Sequence, residues 1–235
     1  MLSSLKKDYN ALVVGGTGGI GAAITAKLQA DPACASVVPL SRSSDPGIDF
    51  SEPTTLERAA NALSSQGTEF HSLIIATGRL TTSQGVGPEK AFDHLTHETM
   101  TELFEVNAIG PALALKAFLP LMSRHERCLI ATLSARVGSI GDNGLGGWIS
   151  YRASKAALNQ ITHTAAIETR RRNDKSVCVA LHPGTIPTGL SEPYARNRFT
   201  HSPEDCASNL LSVLNHLPPE KTGGFYDYAG KEIPW

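Results

Sequence analysis

The sequence predicts an α/β chain built on a single doubly wound parallel sheet with helices on both faces. Three observations carry that prediction. Short continuous apolar runs alternate with helically spaced segments along the whole length. Strands buried on both faces read as unbroken apolar runs, and parallel neighbours need a crossover between them. The first apolar run leads straight into a glycine cluster and then a helix, the junction at which such sheets present backbone N–H groups. Finally, 235 residues with 41% hydrophobic side chains suit one core-forming unit, residues 1–235.

Each element follows in order. Residues 9–14 end in an apolar run and form the first strand, and 22–30 form a helix that stops near Pro32. A short strand at 37–40 precedes a turn-like Ser41-Arg42-Ser43-Ser44, and 56–64 carry helical spacing. The apolar run 72–76 ends at Thr77-Gly78, and the polar, glycine-containing stretch 81–94 reads as a surface loop. Residues 98–122 read as one long helix interrupted near Gly110-Pro111, because proline removes a backbone donor and clashes with the preceding turn. A buried strand at 127–133, a long helix at 148–172, a strand at 176–181, a helix at 203–217 and a strand-like 225–228 complete the series. Right-handed crossovers then give the doubly wound arrangement.

Composition excludes several classes. Lys and Arg number 21 against 22 Asp and Glu, a net charge of −1, so neither a nucleic-acid partner nor a polybasic membrane anchor is expected. No stretch offers the roughly 20 consecutive apolar residues of a membrane span, and the N-terminus has no apolar run of the leader type. The four cysteines are widely separated, which argues for free thiols in a reducing compartment, cytosolic or organellar, with a cytoplasmic location expected. The eight histidines show no ligand spacing, so no metal is expected.

Gly15, Gly19 and Gly21 sit between strand and helix. A tight turn there, with Thr17, Gly18 and Ile20, lets backbone N–H groups and the helix N-terminus face a pyrophosphate. About 20 residues on, where such folds read the adenosine ribose, the chain offers Ser41 and Arg42 and no carboxylate. An arginine there neutralises a 2′-phosphate, which favours NADP(H) over NAD(H). Tyr151 and Lys155 stand four apart on a predicted helix and share a face. An ammonium close to a phenol would lower the tyrosine pKa, fitting Tyr151 for general acid–base work.

The Gly-x-x-x-Gly-x-Gly spacing, together with the run Tyr151-Arg152-Ala153-Ser154-Lys155, resembles the short-chain dehydrogenase/reductase family of Rossmann-fold enzymes. The matches extend from Gly15 to Trp235. They are most like the C-factor-like carbonyl reductase subgroup, in Gly138-Ser139-Ile140-Gly141-Asp142-Asn143, in Gly146-Gly147-Trp148 and in the ending Asp227-Tyr228-Ala229-Gly230. The family's threonine before the first glycine is Val14 here.

The resemblance implies further roles. Asp49 and Phe50 would cradle the adenine. Ala76, Thr77 and Gly78 replace the family's Asn-Asn-Ala-Gly beside the ribose. Pro183, Gly184, Ile186 and Thr188 would pack the nicotinamide, and Asn107 would support a proton relay to the lysine. The family's substrate-polarising serine aligns with Ala135. Ser134, one position away, is preferred over Ser139, and spacing alone does not separate them. Ser139, Trp148 and Tyr194 would border the substrate pocket, closed by a loop over 187–203, while His182 reads as structural in preference to a site residue.

The implied activity is NADPH-dependent hydride transfer between nicotinamide and a small-molecule carbonyl or alcohol substrate. Family members pair through the helices corresponding to 98–122 and 148–172, which implies a homodimer or homotetramer. A non-catalytic NADP(H)-binding signalling or regulatory protein is the competing reading, and dehydratase or epimerase chemistry a weaker third.

Overall fold

The computed structural model describes residues 2–195 and 198–235. Two positions of the expected loop over 187–203, Arg196 and Asn197, therefore lie outside the described residues, as does Met1 of the expected 1–235 unit. Six parallel strands form one sheet: β1 (Tyr9–Val14), β2 (Cys34–Leu40), β3 (Ser72–Ile75), β4 (Leu129–Leu133), β5 (Val177–His182) and β6 (Phe225–Asp227). Their spatial order is β2-β1-β3-β4-β5-β6. The chain leaves β1 toward one edge and returns to build the other half, so a crevice opens beyond the strand ends between β1 and β3.

Both sheet faces are covered. In β1, Ala11 and Val13 point into a core with α1 (Gly19–Gln29) and α7 (Pro203–His216). Leu12 and Val14 point the opposite way, toward α2 (Thr54–Ser65), α4 (Gly110–Phe118) and α5 (Ile149–Arg172). All four are fully buried. Period-two alternation between two apolar layers is why this strand reads as an unbroken apolar run. Pro39 is tolerated in β2 because β2 is an edge strand.

Several boundaries differ from the sequence reading. The first helix begins at Gly19, inside the glycine cluster, and β2 begins at Cys34, earlier than its apolar core. The long helix expected over 98–122 consists of α3 (His97–Phe104), a π-helical turn Glu105–Ile109 and α4, which ends at Phe118. The irregularity therefore lies one turn before Gly110-Pro111, at Asn107. Pro111 has no N–H to give the carbonyl four residues back, and the backbone accommodates this in the wider turn. A short α6 (Glu192–Ala195) within the segment 187–203 had no sequence signal. The run His97–Leu121 is long and apolar enough to span a bilayer. Here it is a core helix, packed on the sheet through Ala114, Leu115 and Phe118.

Candidate active site

The glycine turn opens into a cleft of about 580 Å³ lined by Gly15, Thr17, Gly18, Ser41, Arg42, Asp49, Phe50, Ala76, Thr77 and Gly78. Gly15 has φ +82°, and a Cβ at Gly21 would lie 2.1 Å from the Gly15 carbonyl oxygen. The first position demands left-handed backbone and the second leaves no room for any side chain. Gly18 caps α1 without a side-chain hydrogen bond, and no acidic residue occupies the first turn. The helix N-terminus thus faces the cleft with free N–H groups.

At the far end of the cleft, Ser41 is buried and its hydroxyl pairs with that of Ser43 at 3.2 Å. Arg42 is exposed and makes no ion pair among the described residues. Asp49 is committed locally. Its carboxylate accepts from the Ser51 hydroxyl at 2.7 Å and the Ser51 N–H at 3.0 Å, and these bonds hold it below the usual carboxylate range. Phe50 packs on Gly110, where a Cβ would strike its ring. The Thr77 hydroxyl is buried, borders the cleft and has no partner among the described residues.

A second cavity of about 240 Å³ continues from the first past Gly18, Ala76, Thr77 and Gly78. Tyr151, Lys155, Ser134, Ala135, His182, Pro183, Gly184, Ile186 and Thr188 line it, with Gly19 and Ile20 at the junction. The Thr188 methyl seats against Gly19. Elements distant in sequence thus converge at the strand ends, as the spacing of the motifs anticipates.

Tyr151 and Lys155 are 6% and 3% exposed. The Lys155 ammonium donates to the Leu133 carbonyl at 2.9 Å and lies 6.0 Å from the centre of the Tyr151 ring. Burial pulls Lys155 down to about 7 and pushes the Tyr151 phenol above its ordinary value. The expected lowering of the tyrosine by its lysine is therefore outweighed by burial. Desolvation disfavours both charged forms, and the lysine is spent on a backbone carbonyl.

Asn107 is fully buried and braces two elements. Its side-chain oxygen accepts from the Arg79 N–H at 2.7 Å, and its amide donates to the Arg79 carbonyl at 2.8 Å and the Ser154 hydroxyl at 3.1 Å. Ser154 in turn donates to the Tyr151 carbonyl at 2.9 Å. Asn107 thus reaches α5 through Ser154, with no hydrogen bond to Lys155 itself among the described residues.

The serine expectation needs correction. The Ser134 hydroxyl donates to the Asn159 side-chain oxygen at 2.5 Å, which ties the strand end to α5 and leaves it no proton for a ligand. The Ser139 hydroxyl donates to the Pro234 carbonyl at 2.5 Å and anchors the C-terminal tail. Ala135, at the position the resemblance gives the serine, is one of the side chains packed on the small apolar cluster that contains Tyr151. Trp148 and Tyr194 do meet at this end. Their rings lie edge-on, 5.9 Å apart, and Trp148 stands 6.2 Å from Tyr151. His182 lines the cavity, with its Nδ1 enclosed and unpartnered among the described residues, and burial pulls it down to about 4. Sequence reasoning also passed over Asn159, Ser154 and Arg79, whose roles depend on pairings across 25, 47 and 28 residues of chain.

Comparison with known proteins agrees with this geometry. Residues 9–198 match the family model of short chain dehydrogenases. The chain is 35% identical over 145 residues to C-signal of Myxococcus xanthus, covering 62% of this chain and 84% of that protein. It is 29% identical over 191 residues to the 1-hydroxy-2-glutathionyl-2-methyl-3-butene dehydrogenase of Rhodococcus sp. (strain AD45), covering 81% and 80%. In fold it is similar to the NADPH-bound carbonyl reductase from chicken fatty liver, with TM-score 0.82 and 24% identity over 98% of this chain and 95% of that one. Doubly wound sheet, glycine cradle and buried Tyr151–Lys155 pair together make this chain an oxidoreductase of the short-chain dehydrogenase family.

Proposed function

We propose that this chain is an NADP(H)-dependent carbonyl reductase, moving a hydride between nicotinamide and a carbonyl or alcohol carbon. One observation carries the reading. Tyr151 and Lys155 are buried against a cavity that continues directly into the glycine cradle. The residues present fit the dinucleotide. The Gly15–Gly21 turn and the uncapped α1 N-terminus suit the pyrophosphate, the unpartnered Thr77 hydroxyl a ribose, and Ser41 with the unpaired Arg42 a 2′-phosphate. Asp49 and Phe50 flank the adenine end, and Pro183, Gly184, Ile186 and Thr188 the nicotinamide end.

When bound, the nicotinamide would supply the hydride for reduction or accept it in oxidation. Tyr151 gives its proton to the substrate oxygen in reduction, and as phenolate takes the hydroxyl proton in oxidation. Its raised pKa keeps the phenol protonated at neutral pH and ready as an acid. Lys155 in its ammonium form stabilises the phenolate that results and holds the nicotinamide ribose, and Asn107 keeps the Tyr151 turn in place through Ser154. The described chain serves as one nucleotide-binding unit, with the described residues of the 187–203 segment, Tyr194 among them, forming the substrate wall beside Trp148. Exposed Ile109 and Ile167 on the two long helices favour a homodimer or homotetramer.

A second reading is favoured by two observations: the similarity to C-signal, and the engagement of the Ser134 and Ser139 hydroxyls by Asn159 and Pro234. It is an NADP(H)-binding regulatory protein without turnover. Thermal melts with NADPH and NADH, combined with an aldehyde and ketone panel, separate the two. NADPH should raise the melting temperature far more than NADH, following RT ln(1 + [L]/Kd), and Arg42→Ala should remove the difference. Wild-type protein should consume NADPH and Tyr151→Phe should not. Tight NADPH binding without turnover would favour the regulator, and no stabilisation by either nucleotide would sink both readings.

A further inference from the structure

We propose that Glu89 is a positioning residue for Tyr151: its buried carboxylate ties the 81–94 loop to the first turn of α5 and sets how Tyr151 and Trp148 face the cavity. The inference rests on the reading of Tyr151 as the acid–base group. Glu89 is 4% exposed and forms no ion pair among the described residues. A buried carboxylate without a cation is costly unless hydrogen bonds satisfy it. Here one carboxylate oxygen accepts the Ser150 N–H at 3.2 Å and the other accepts the Ser150 hydroxyl in a short bond. The Glu89 carbonyl accepts the Trp148 N–H at 2.5 Å. The positive end of a 24-residue helix supplies the remaining compensation.

The turn held in this way is a demanding one. Gly146, Gly147 and Trp148 take φ of 64°, 62° and 54° in succession. Left-handed backbone at a tryptophan persists only where surrounding bonds fix it. Trp148 has no capping side-chain bond of its own, so the three Glu89 bonds, with those from Arg152 to the Gly146 and Gly147 carbonyls, define the approach to α5. Ser150 immediately precedes Tyr151, and any shift of that turn moves the phenol. The same loop grips the opposite side of the aromatic wall, where the Thr81 hydroxyl pairs with the Tyr194 hydroxyl at 2.8 Å. Loop, wall and acid–base tyrosine therefore move as one body anchored at Glu89.

The test uses the full chain as Glu89→Gln and Glu89→Ala, with NADPH and para-nitrobenzaldehyde as the kinetic probe. A parallel pair in a Trp235→Phe background leaves Trp148 as the sole tryptophan. We expect kcat to fall roughly 10- to 100-fold, the scale on which small misplacements of reacting groups act, with Glu89→Ala the worse of the two. NADPH affinity should stay within about twofold, since the cradle is untouched. Trp148 emission should shift to the red and become more open to acrylamide quenching. Unchanged kcat in both variants overturns the proposal, as does a parallel loss of kcat, NADPH affinity and melting temperature. Should Glu89→Ala fail to fold, Ser150→Ala removes the same hydroxyl bond from the other side and must lower kcat likewise. A wild-type protein that turns over no carbonyl defeats the reductase reading instead, and Trp148 quenching in Glu89→Gln then still decides whether Glu89 sets the wall.

Discussion

Replacing Lys155 with methionine should abolish turnover yet stabilise the unliganded protein at neutral pH. Lys155 is 3% exposed, and burial brings it from 10.5 down to about 7. Between those values the unfolded chain holds a proton that the folded chain does not, so stability rises with pH across that window. At pH 7 the difference costs the fold on the order of 4 kcal/mol, at about 1.4 kcal/mol per pH unit. Methionine removes that cost and fills a similar volume, but it leaves the Leu133 carbonyl without the 2.9 Å bond, a loss of about 1 kcal/mol. The net gain of about 3 kcal/mol corresponds to a melting temperature higher by roughly 6–12 °C for a chain of this length. The advantage should shrink steadily as pH rises and be gone near pH 10, where wild type no longer carries the cost. Melts of both proteins without nucleotide, from pH 7 to 10, measure this. A variant less stable than wild type at pH 7, or a gap that does not change with pH, would refute the desolvation argument.

Three further outcomes follow from the site. Ala135→Ser adds a hydroxyl among the side chains packed around Tyr151, next to a Ser134 hydroxyl already bonded to Asn159. It should raise kcat/KM for a carbonyl about 10-fold or more, on the scale of a lost oxyanion donor restored, and leave NADPH affinity unchanged. Gly21→Ala sets a Cβ 2.1 Å from the Gly15 carbonyl oxygen. NADPH should then no longer raise the melting temperature, and the fold should lose about 1–3 kcal/mol by urea titration. Asn107→Ala strips both backbone partners from Arg79. It should lower stability by about 2–3 kcal/mol and reduce kcat, a result that normal turnover would contradict.

The sheet was legible because its central strands are buried on both sides, so apolar runs such as Leu12-Val13-Val14 and Leu73-Ile74-Ile75 mark them, whereas the half-exposed edge strand β2 began earlier than its apolar core. The glycine cradle was legible because steric exclusion at Gly15 and Gly21 acts between neighbours in sequence. Tyr151 and Lys155 were legible because helical spacing alone puts them on one face. What escaped depends on contacts across the fold. Nothing near Ser134 announces that Asn159 takes its hydroxyl, and nothing near Ser139 announces the tail carbonyl of Pro234. Glu89 sits in a polar loop and reads as a solvated charge until Ser150, 61 residues away, closes on it. The π-helical turn at Asn107 was half legible. Pro111 disclosed a missing donor, but where the helix would absorb it depended on Arg79 and Ser154 holding the asparagine.

The same long-range contacts explain how one buried phenol could suffice here. With Ser134 and Ser139 committed elsewhere, Tyr151 is the proposed donor to a substrate oxygen beside the cavity. A single donor must be placed well, because no second bond corrects the angle of the oxygen. The framework around Tyr151 is correspondingly dense. Glu89 fixes the residue before it, Ser154 holds its carbonyl, Asn107 holds Ser154, and Trp148 closes on the edge of its ring. If restoring a serine at position 135 relaxes the dependence on this framework, Glu89→Gln should lose less activity in the Ala135→Ser background than alone. The two sites would then be coupled through the substrate oxygen, and strictly additive losses would show that they act independently.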